Sequence, residues 1–407
     1  MPVERVETLV IGGGQAGLAM SHHLKRRGLA HLVLERGRVG ERWWSERWDG
    51  LKFQFPNWSV RLPDFPFPHS DPDGFADLGT IVDFIDAYAA FVAPPIRCGV
   101  EVTRLSRDDA GFIAETSQGK IEARNVVVAT GPYQRPLHAS PFADTALFQV
   151  HASHYRNPAQ LPDGAVLVVG AGASGAQIAE ELHRAGRRVF LSVGRHNRLP
   201  RRYRGRDLIR WLADMRLDQT PVEQRGEMKL LPVISGAYGG HTVDFRRFAS
   251  EGIALLGRVT SVAGDVADIA PDLADNLARG DLRYATFCDM VDDFVRSRGL
   301  DLPADPAARA RLPDPADVTH PRRRLDLRAE GVTSVILATG YRLDFGWIDL
   351  PVFDGNGEPL QRHGISTVGG LYFLGLQWLS RMASSFMSGV GDDAAVLADH
   401  IASRGTR

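Results

Sequence analysis

Cysteine is nearly absent. Two residues, Cys98 and Cys288, occur in a chain of 407, too few for a redox Cys-x-x-Cys pair or a four-ligand zinc site. Such sparse usage fits a reducing compartment. Excess charge is missing too: 48 basic side chains against 49 acidic ones leave −1, so neither nucleic acid nor an acidic membrane is an expected partner. No apolar run reaches the roughly 18 residues needed to cross a bilayer. The opening MPVERVETLVIGGG lacks the basic and apolar regions of a signal peptide, and a cytoplasmic location is expected. No nucleophile–base triad, pair of catalytic acids or metal-ligand spacing is found. The expectation is no metal, and chemistry that does not rest on a protein nucleophile.

Glycine is what the sequence has in quantity, and several of its 42 copies fall in order. An apolar run, Thr8 to Ile11, leads into Gly12-Gly13-Gly14-Gln15-Ala16-Gly17. A helical pattern through Leu18, Met20 and Leu24 follows, then a second run, His31 to Leu34, ending on Glu35. Strand, glycine turn, helix, strand and acid compose a dinucleotide-binding unit. In such a turn the first glycine permits the bend, the second lets backbone approach a pyrophosphate, and the third lets helix pack on strand. The phosphates then sit at the positive end of the helix. Gly12, Gly14, Gln15, Ala16 and Gly17 are therefore expected at one cofactor. Glu35, with Arg36 beside it, suits a ribose with two free hydroxyls, hence FAD or NAD.

The same grammar returns at Val166–Val169, Gly170-Ala171-Gly172-Ala173-Ser174-Gly175, and a helix from Ala176 to about Ala185. Here the second strand ends Ser192-Val193-Gly194-Arg195 with no acid. A carboxylate would repel a 2′-phosphate, whereas Ser192 and Arg195 can bind it, so this site is expected to take NADPH. Gly170, Gly172, Ala173, Ser174, Gly175 and Gln177 complete it. Six arginines fall between Arg195 and Arg206. Given the near-zero net charge, one or two are expected at the cofactor and the rest in solvent, rather than in a nucleic-acid patch.

Two further strands, Val126–Val128 and Val335–Leu337, each run into Ala-Thr-Gly turns, 129–131 and 338–340. The expected fold is α/β, with two Rossmann-like dinucleotide-binding domains, the NADPH domain inserted into the FAD domain. Residues 1–158 and 331–407 would form the FAD domain and 159–330 the NADPH domain, with an irregular and helical insertion around 200–320. The stretch 41–75, dense in aromatics and proline, reads as an irregular layer, and 264–300 as an acidic helix. A last strand at 371–374 feeds a glycine turn and a helix from about Asp392 to Ile401.

Two fingerprints, two Ala-Thr-Gly turns and an NADP-type second site make the chain resemble the flavin-containing monooxygenase family. It is similar to bacterial members and to the plant indole-3-pyruvate monooxygenase branch. The shared residues run from GGGQAGLA through Glu35, Trp43, 51–56 and 64–68 to GAGASG and Ala338-Thr339-Gly340-Tyr341. The resemblance implies FAD contacts at Trp43, Val102, Thr130 and Gly131. The family's linker motif, F-x-G-x-x-x-H-x-x-x-Y/F, survives in part: His151 and Tyr155 match, but Thr145 and Leu147 replace Phe and Gly. Without the family, His151 and Tyr155 read as packing. Baeyer–Villiger relatives carry Trp where Tyr155 stands, which disfavours ester formation from ketones.

The resemblance further implies a cycle in which NADPH reduces FAD and the reduced flavin captures dioxygen as a hydroperoxide. One oxygen then passes to a small amine, sulfide, or indolic or keto acid. The cofactor carries the hard chemistry, and the protein orients and excludes water. Gln54, where animal members carry Asn, and Asn57 are the residues expected at that dry pocket, unless Gln54 is a strand-edge residue facing water. The turn Gly389 to Asp392 is expected to aim a helix N-terminus at the flavin, unless Asp392 is a plain cap. The rival expectations are an NADPH-dependent reductase or oxidase, passing electrons to a partner or to dioxygen, and a redox sensor.

Overall fold

The computed structural model describes residues 3–137, 141–226 and 232–405. Along the chain run β1 (Glu4–Ile11), α1 (Gln15–Arg26), β2 (His31–Glu35), α2 (Leu78–Val92), β3 (Ile96–Cys98), β4 (Gly119–Val128) and β5 (Phe148–His151). Then follow β6 (Ala165–Val169), α3 (Ala173–Arg184), β7 (Val189–Ser192), β8 (Ala254–Leu256), α4 (Leu273–Ser297), β9 (Val332–Leu337), β10 (Leu371–Phe373) and α5 (Val390–Gly405). Shorter ribbons and turns connect them.

Two parallel sheets organise the chain. The first has the core order β10-β4-β1-β2-β3, the second β5-β9-β6-β7-β8. Their strands are continuous apolar runs because both faces are covered: Leu9 and Val10 in one and Val166, Leu167 and Val168 in the other have no exposed surface. The α/β class with one nucleotide-type domain inserted in the other is borne out.

The domain borders differ from the sequence expectation. Strands β5 and β9 both belong to the second sheet, so that domain takes residues from 1–158 and from 331–407. The chain crosses between the domains at an antiparallel ribbon in which Arg135–Pro136 pair with Tyr341–Arg342. The physical reason is pairing: β9 lies between β5 and β6 and completes their sheet. Each Ala-Thr-Gly turn abuts its own fingerprint, and the two turns are not a matched pair in one domain.

The expected 264–300 helix begins later, at Leu273. Residues 259–269 instead form a hairpin joined by Arg324–Asp326. The helix α3 starts at Ala173, three residues before its expected start, and α5 runs Val390–Gly405. The 41–75 layer is irregular, with a five-residue helix at Glu41–Ser45 and a 3-10 turn at Asn57–Ser59.

Several histidines are held inside the fold. Burial holds the imidazoles of His22, His31 and His196 below their ordinary range, and that of His23 at about 4 from an ordinary 6.5. A group whose pKa is depressed by folding supports the fold above its unfolded pKa and ceases to do so as pH falls through the folded value. Melting temperature is therefore expected to drop as pH is lowered from about 6.5 toward 4. His23→Gln should flatten the slope in thermal melts. An equal slope in that variant would contradict this role for His23.

Candidate functional site

Each glycine turn is shaped by two different demands. At Gly12 (φ +113°) an added Cβ would lie 2.5 Å from the Ala129 carbonyl oxygen, and at Gly17 one would lie 1.8 Å from the Gly12 oxygen. The second turn repeats this: 2.4 Å from the Ala338 oxygen at Gly170, and 1.9 Å from the Gly170 oxygen at Gly175. The close approach of helix to strand thus forbids any side chain at these four positions. The middle glycines differ. A Cβ at Gly14 or Gly172 would meet nothing within 4 Å.

Those two open spaces lie at uncapped helix ends. Gly14 and Gly172 are the N-cap residues of α1 and α3, neither helix has a side-chain cap, and neither has an acid in its first turn. Unpaired N–H groups and the positive end of the helix suit an anion. Both cradles therefore fit a pyrophosphate. Ala16 is buried, its Cβ against the space beside Gly375, whereas Ser174 is exposed in the open turn.

Around the first cradle the expected residues converge. Glu35 accepts backbone N–H groups of Gly13 (2.7 Å) and Gly37 (2.8 Å), which fixes its carboxylate at the lip of the turn. Arg36 is exposed beside it. The Val100 N–H donates to the Glu35 carbonyl, and Val102 opens the next strand two residues on. Gln134, which sequence reasoning missed, ties Thr130 Oγ1 and the Gly131 carbonyl, both at 2.9 Å. Trp43 Nε1 donates to Gln15 Oε1 (3.3 Å), and Gln15 Nε2 donates to the Ser385 carbonyl (3.0 Å).

From Trp43 a file of rings leaves this turn: Phe53 at 5.6 Å, Phe55 a further 5.4 Å, then Phe386 at 4.9 Å. Gln54 and Asn57 belong to the same segment. The Gln54 carbonyl accepts from Arg201 Nη1 at 2.6 Å. Asn57 Nδ2 donates to the Asp71 carbonyl (2.9 Å), while its buried Oδ1 has no partner among the described residues.

Two expectations, at Ser192 and Gln177, are corrected. Ser192 is 2% exposed: its hydroxyl donates to the Gly257 carbonyl (3.0 Å) and accepts from Val259, so it fastens the following hairpin instead of facing a phosphate. Gln177 is buried, with Nε2 on the Ile234 carbonyl at 3.2 Å, and so supports the insertion. Asp392, at the first turn of α5, is exposed and ion-pairs with Arg381 (3.2 Å), which also faces the buried Asp393. Arg195 is exposed and, among the described residues, makes no side-chain hydrogen bond or ion pair.

The linker residues pack. His151 is buried, its Nδ1 accepting from the Ser153 N–H (3.1 Å) and its Nε2 donating to the Gly340 carbonyl (3.2 Å). The Tyr155 hydroxyl donates to Glu181 Oε2 at 2.8 Å with no exposed surface. Burial pushes the Glu181 carboxyl up.

The pyridine nucleotide-disulphide oxidoreductase family matches residues 9–230. The chain belongs to this family. It is 32% identical to an uncharacterized CzcO-like oxidoreductase of Geobacillus kaustophilus over 97% of this chain and 98% of that one. An indole-3-pyruvate monooxygenase of Oryza sativa is 31% identical, over 53% of this chain and 58% of its own. In fold, a flavin-containing monooxygenase from Stenotrophomonas maltophilia matches with a TM-score of 0.68 at 18% identity, over 99% of this chain and all of that one. The expected kinship with flavin-containing monooxygenases is borne out at this level. The disulphide part of the family's description has no counterpart here: Cys98 is exposed, Cys288 is buried, and both are free. Burial pushes the Cys288 thiol up to about 12, so it is inert. Among the described residues no cluster of three or more His, Cys, Asp or Glu could hold a metal, and no helix is long and apolar enough to cross a membrane.

Proposed function

We propose that this oxidoreductase is an FAD-dependent, NADPH-consuming monooxygenase acting with dioxygen on a small organic nucleophile, with FAD at the first cradle and NADPH at the second. The observation that carries this reading is the pair of open, uncapped turns at Gly14 and Gly172, one flanked by Glu35 and the other by an uncommitted Arg195. The redox chemistry itself, hydride uptake from the nicotinamide and activation of dioxygen, is what a bound flavin supplies.

The chain's own residues have simpler work. Glu35 holds a ribose diol through its carboxylate, and Arg195 holds a 2′-phosphate. The N–H groups opening α1 and α3 bind pyrophosphate. Trp43, Phe53, Phe55 and Phe386 form an apolar wall that keeps water from the reacting atoms. An amine or sulfide is itself a nucleophile, so no protein base is required, in keeping with the missing triad.

Gln54 is assigned to this dry pocket. Arg201 holds its backbone carbonyl, so shortening the side chain leaves the segment in place. Gln54→Ala is expected to raise several-fold the share of NADPH electrons that end as free hydrogen peroxide. An unchanged share would remove Gln54 from the site.

The reading is tested on the purified protein by measuring NADPH consumed and peroxide released, with and without a panel of amines and sulfides. A monooxygenase releases less peroxide per NADPH when a substrate is present. An oxidase releases one peroxide per NADPH regardless, a reductase deprived of its partner leaves most NADPH unconsumed, and a sensor without bound flavin consumes none.

A further inference from the structure

A long face of helix α4 (Leu273–Ser297) is uncovered. At 3.6 residues per turn, positions 275, 279, 286 and 293 fall within about 20° of one line along the helix, and all four are exposed. Leu282 and Met290 flank that line. Leu282 is 67% exposed, more than any other large apolar side chain among the described residues, and Met290 is 40% exposed. The opposite side, with Tyr284, Cys288, Val291 and Val295, packs into the apolar cluster around Trp211.

Charge is arranged along this face in order. Asp275 and Arg279 open it, and Asp293 and Arg296 close it. Asp275 and Arg279 stand four residues apart, where a helix pairs its own charges. Among the described residues, however, neither makes a side-chain hydrogen bond or ion pair. At the other end Asp293 and Arg296 are bonded to each other and both remain largely in solvent. The neighbouring chain takes up the charges of one edge: Arg309 holds Asp289 at 2.8 Å and Arg311 holds Asp281 at 3.2 Å. The outer line is left open.

The four outer charges are placed symmetrically about Thr286. Turning a second copy of α4 end for end about that residue brings Arg279 level with Asp293, and Asp275 level with Arg296 to within about one residue's rise of 1.5 Å. Each pair occurs twice, and Leu282 comes level with Met290 of the second copy. At each end Asp275, Arg296, Asp293 and Arg279 then alternate in sign across the contact, the networked arrangement in which surface charges count. A parallel pairing would set like charges opposite one another. With both signs equally represented on this line, neither a polyanion nor a polycation matches it, whereas a second copy of the same helix does.

We propose that α4 is a homodimer interface, in which two copies of the chain pack this face antiparallel about a two-fold axis at Thr286. Such a contact is isologous, the same patch serving both copies. One helix face per copy is less than the roughly 20–30 residues of a standard interface. The dimer is therefore reversible, with a Kd on the order of 10 μM.

The test is sedimentation equilibrium of the flavin-loaded full chain from about 1 to about 200 μM, a range that brackets this Kd. The protein is expected to dimerise, and more weakly at about 0.5 M salt than at about 0.05 M. Arg279→Asp and Asp293→Arg each turn two attractive pairs into two repulsive ones, so each should raise the Kd about tenfold or more. Both residues are exposed, so the variants should fold with little change in Tm. Mixed in equal amounts, the two variants should recover roughly the wild-type Kd, because one then carries acids at both positions and the other carries bases. Misfolding of either variant could not produce that recovery. A wild-type chain that stays monomeric over the range would overturn the proposal. So would a dimer indifferent to both substitutions, or a mixture that associates no better than its components.

Discussion

Gly14→Ala is expected to leave the apoprotein's Tm unchanged and to strip the purified protein of most of its flavin. Gly14 has φ −82° and ψ −172°, a conformation open to alanine, and its Cβ would meet no protein atom within 4 Å. The methyl group intrudes only on whatever approaches the end of α1. Overpacking costs of about 1–3 kcal/mol correspond to roughly 5- to 150-fold in affinity. Gly17→Ala is the contrasting variant: its Cβ would lie 1.8 Å from the Gly12 oxygen, so both Tm and flavin content should fall. Visible flavin absorbance per protein, with thermal melts of the apo forms, separates the two. Full flavin retention in Gly14→Ala would mean that no pyrophosphate approaches that turn.

The second large effect belongs to the other cradle. Arg195→Ala should raise the KM for NADPH by roughly 10- to 150-fold, the loss of one charged contact of about 1.5–3 kcal/mol. The KM for NADH should change little, since NADH carries no 2′-phosphate. Arg195 has no side-chain partner among the described residues, so Tm should hold, as for other surface substitutions. Equal effects on the two nucleotides would refute the assignment. The corrected position of Ser192 sharpens this prediction: with its hydroxyl committed to Gly257 and Val259, Ser192→Ala should lower stability and leave the NADPH preference intact.

What the sequence disclosed and what it hid divide along chain separation. The glycine turns were legible because strand, turn and helix are contiguous, even though the residues that crowd Gly12 and Gly170, Ala129 and Ala338, lie far along the chain. Glu35 was legible for the same reason. Gln177 and Ser192 were misread because their partners, Ile234 and Gly257, lie 57 and 65 residues away and were invisible as partners. The domain border failed similarly: Val332–Leu337 ends in the same Ala-Thr-Gly as Gly119–Val128, and only its pairing with Ala165–Val169 reveals which sheet it joins. The aromatic file was half legible. Trp43, Phe53 and Phe55 stand together in sequence, but Phe386 reaches them from the far end of the chain. Arg201, buried 147 residues from the Gln54 carbonyl it holds, looked like one solvated arginine among six.

Asp392 shows a different limit. A glycine turn ahead of a helix does suggest a positive end available to a ligand. Here Asp392 and Asp393 occupy that first turn and Arg381 answers them, charges that the glycine pattern alone does not disclose.

The central claim is that electrons from NADPH place one atom of dioxygen in a small organic molecule. The most direct test is a reaction of the flavin-loaded protein with NADPH under oxygen-18 gas, with mass spectrometry of the product. Incorporation of one labelled oxygen per NADPH consumed, with little peroxide, is the predicted result. Unlabelled product, with all consumed NADPH recovered as labelled peroxide, would contradict it.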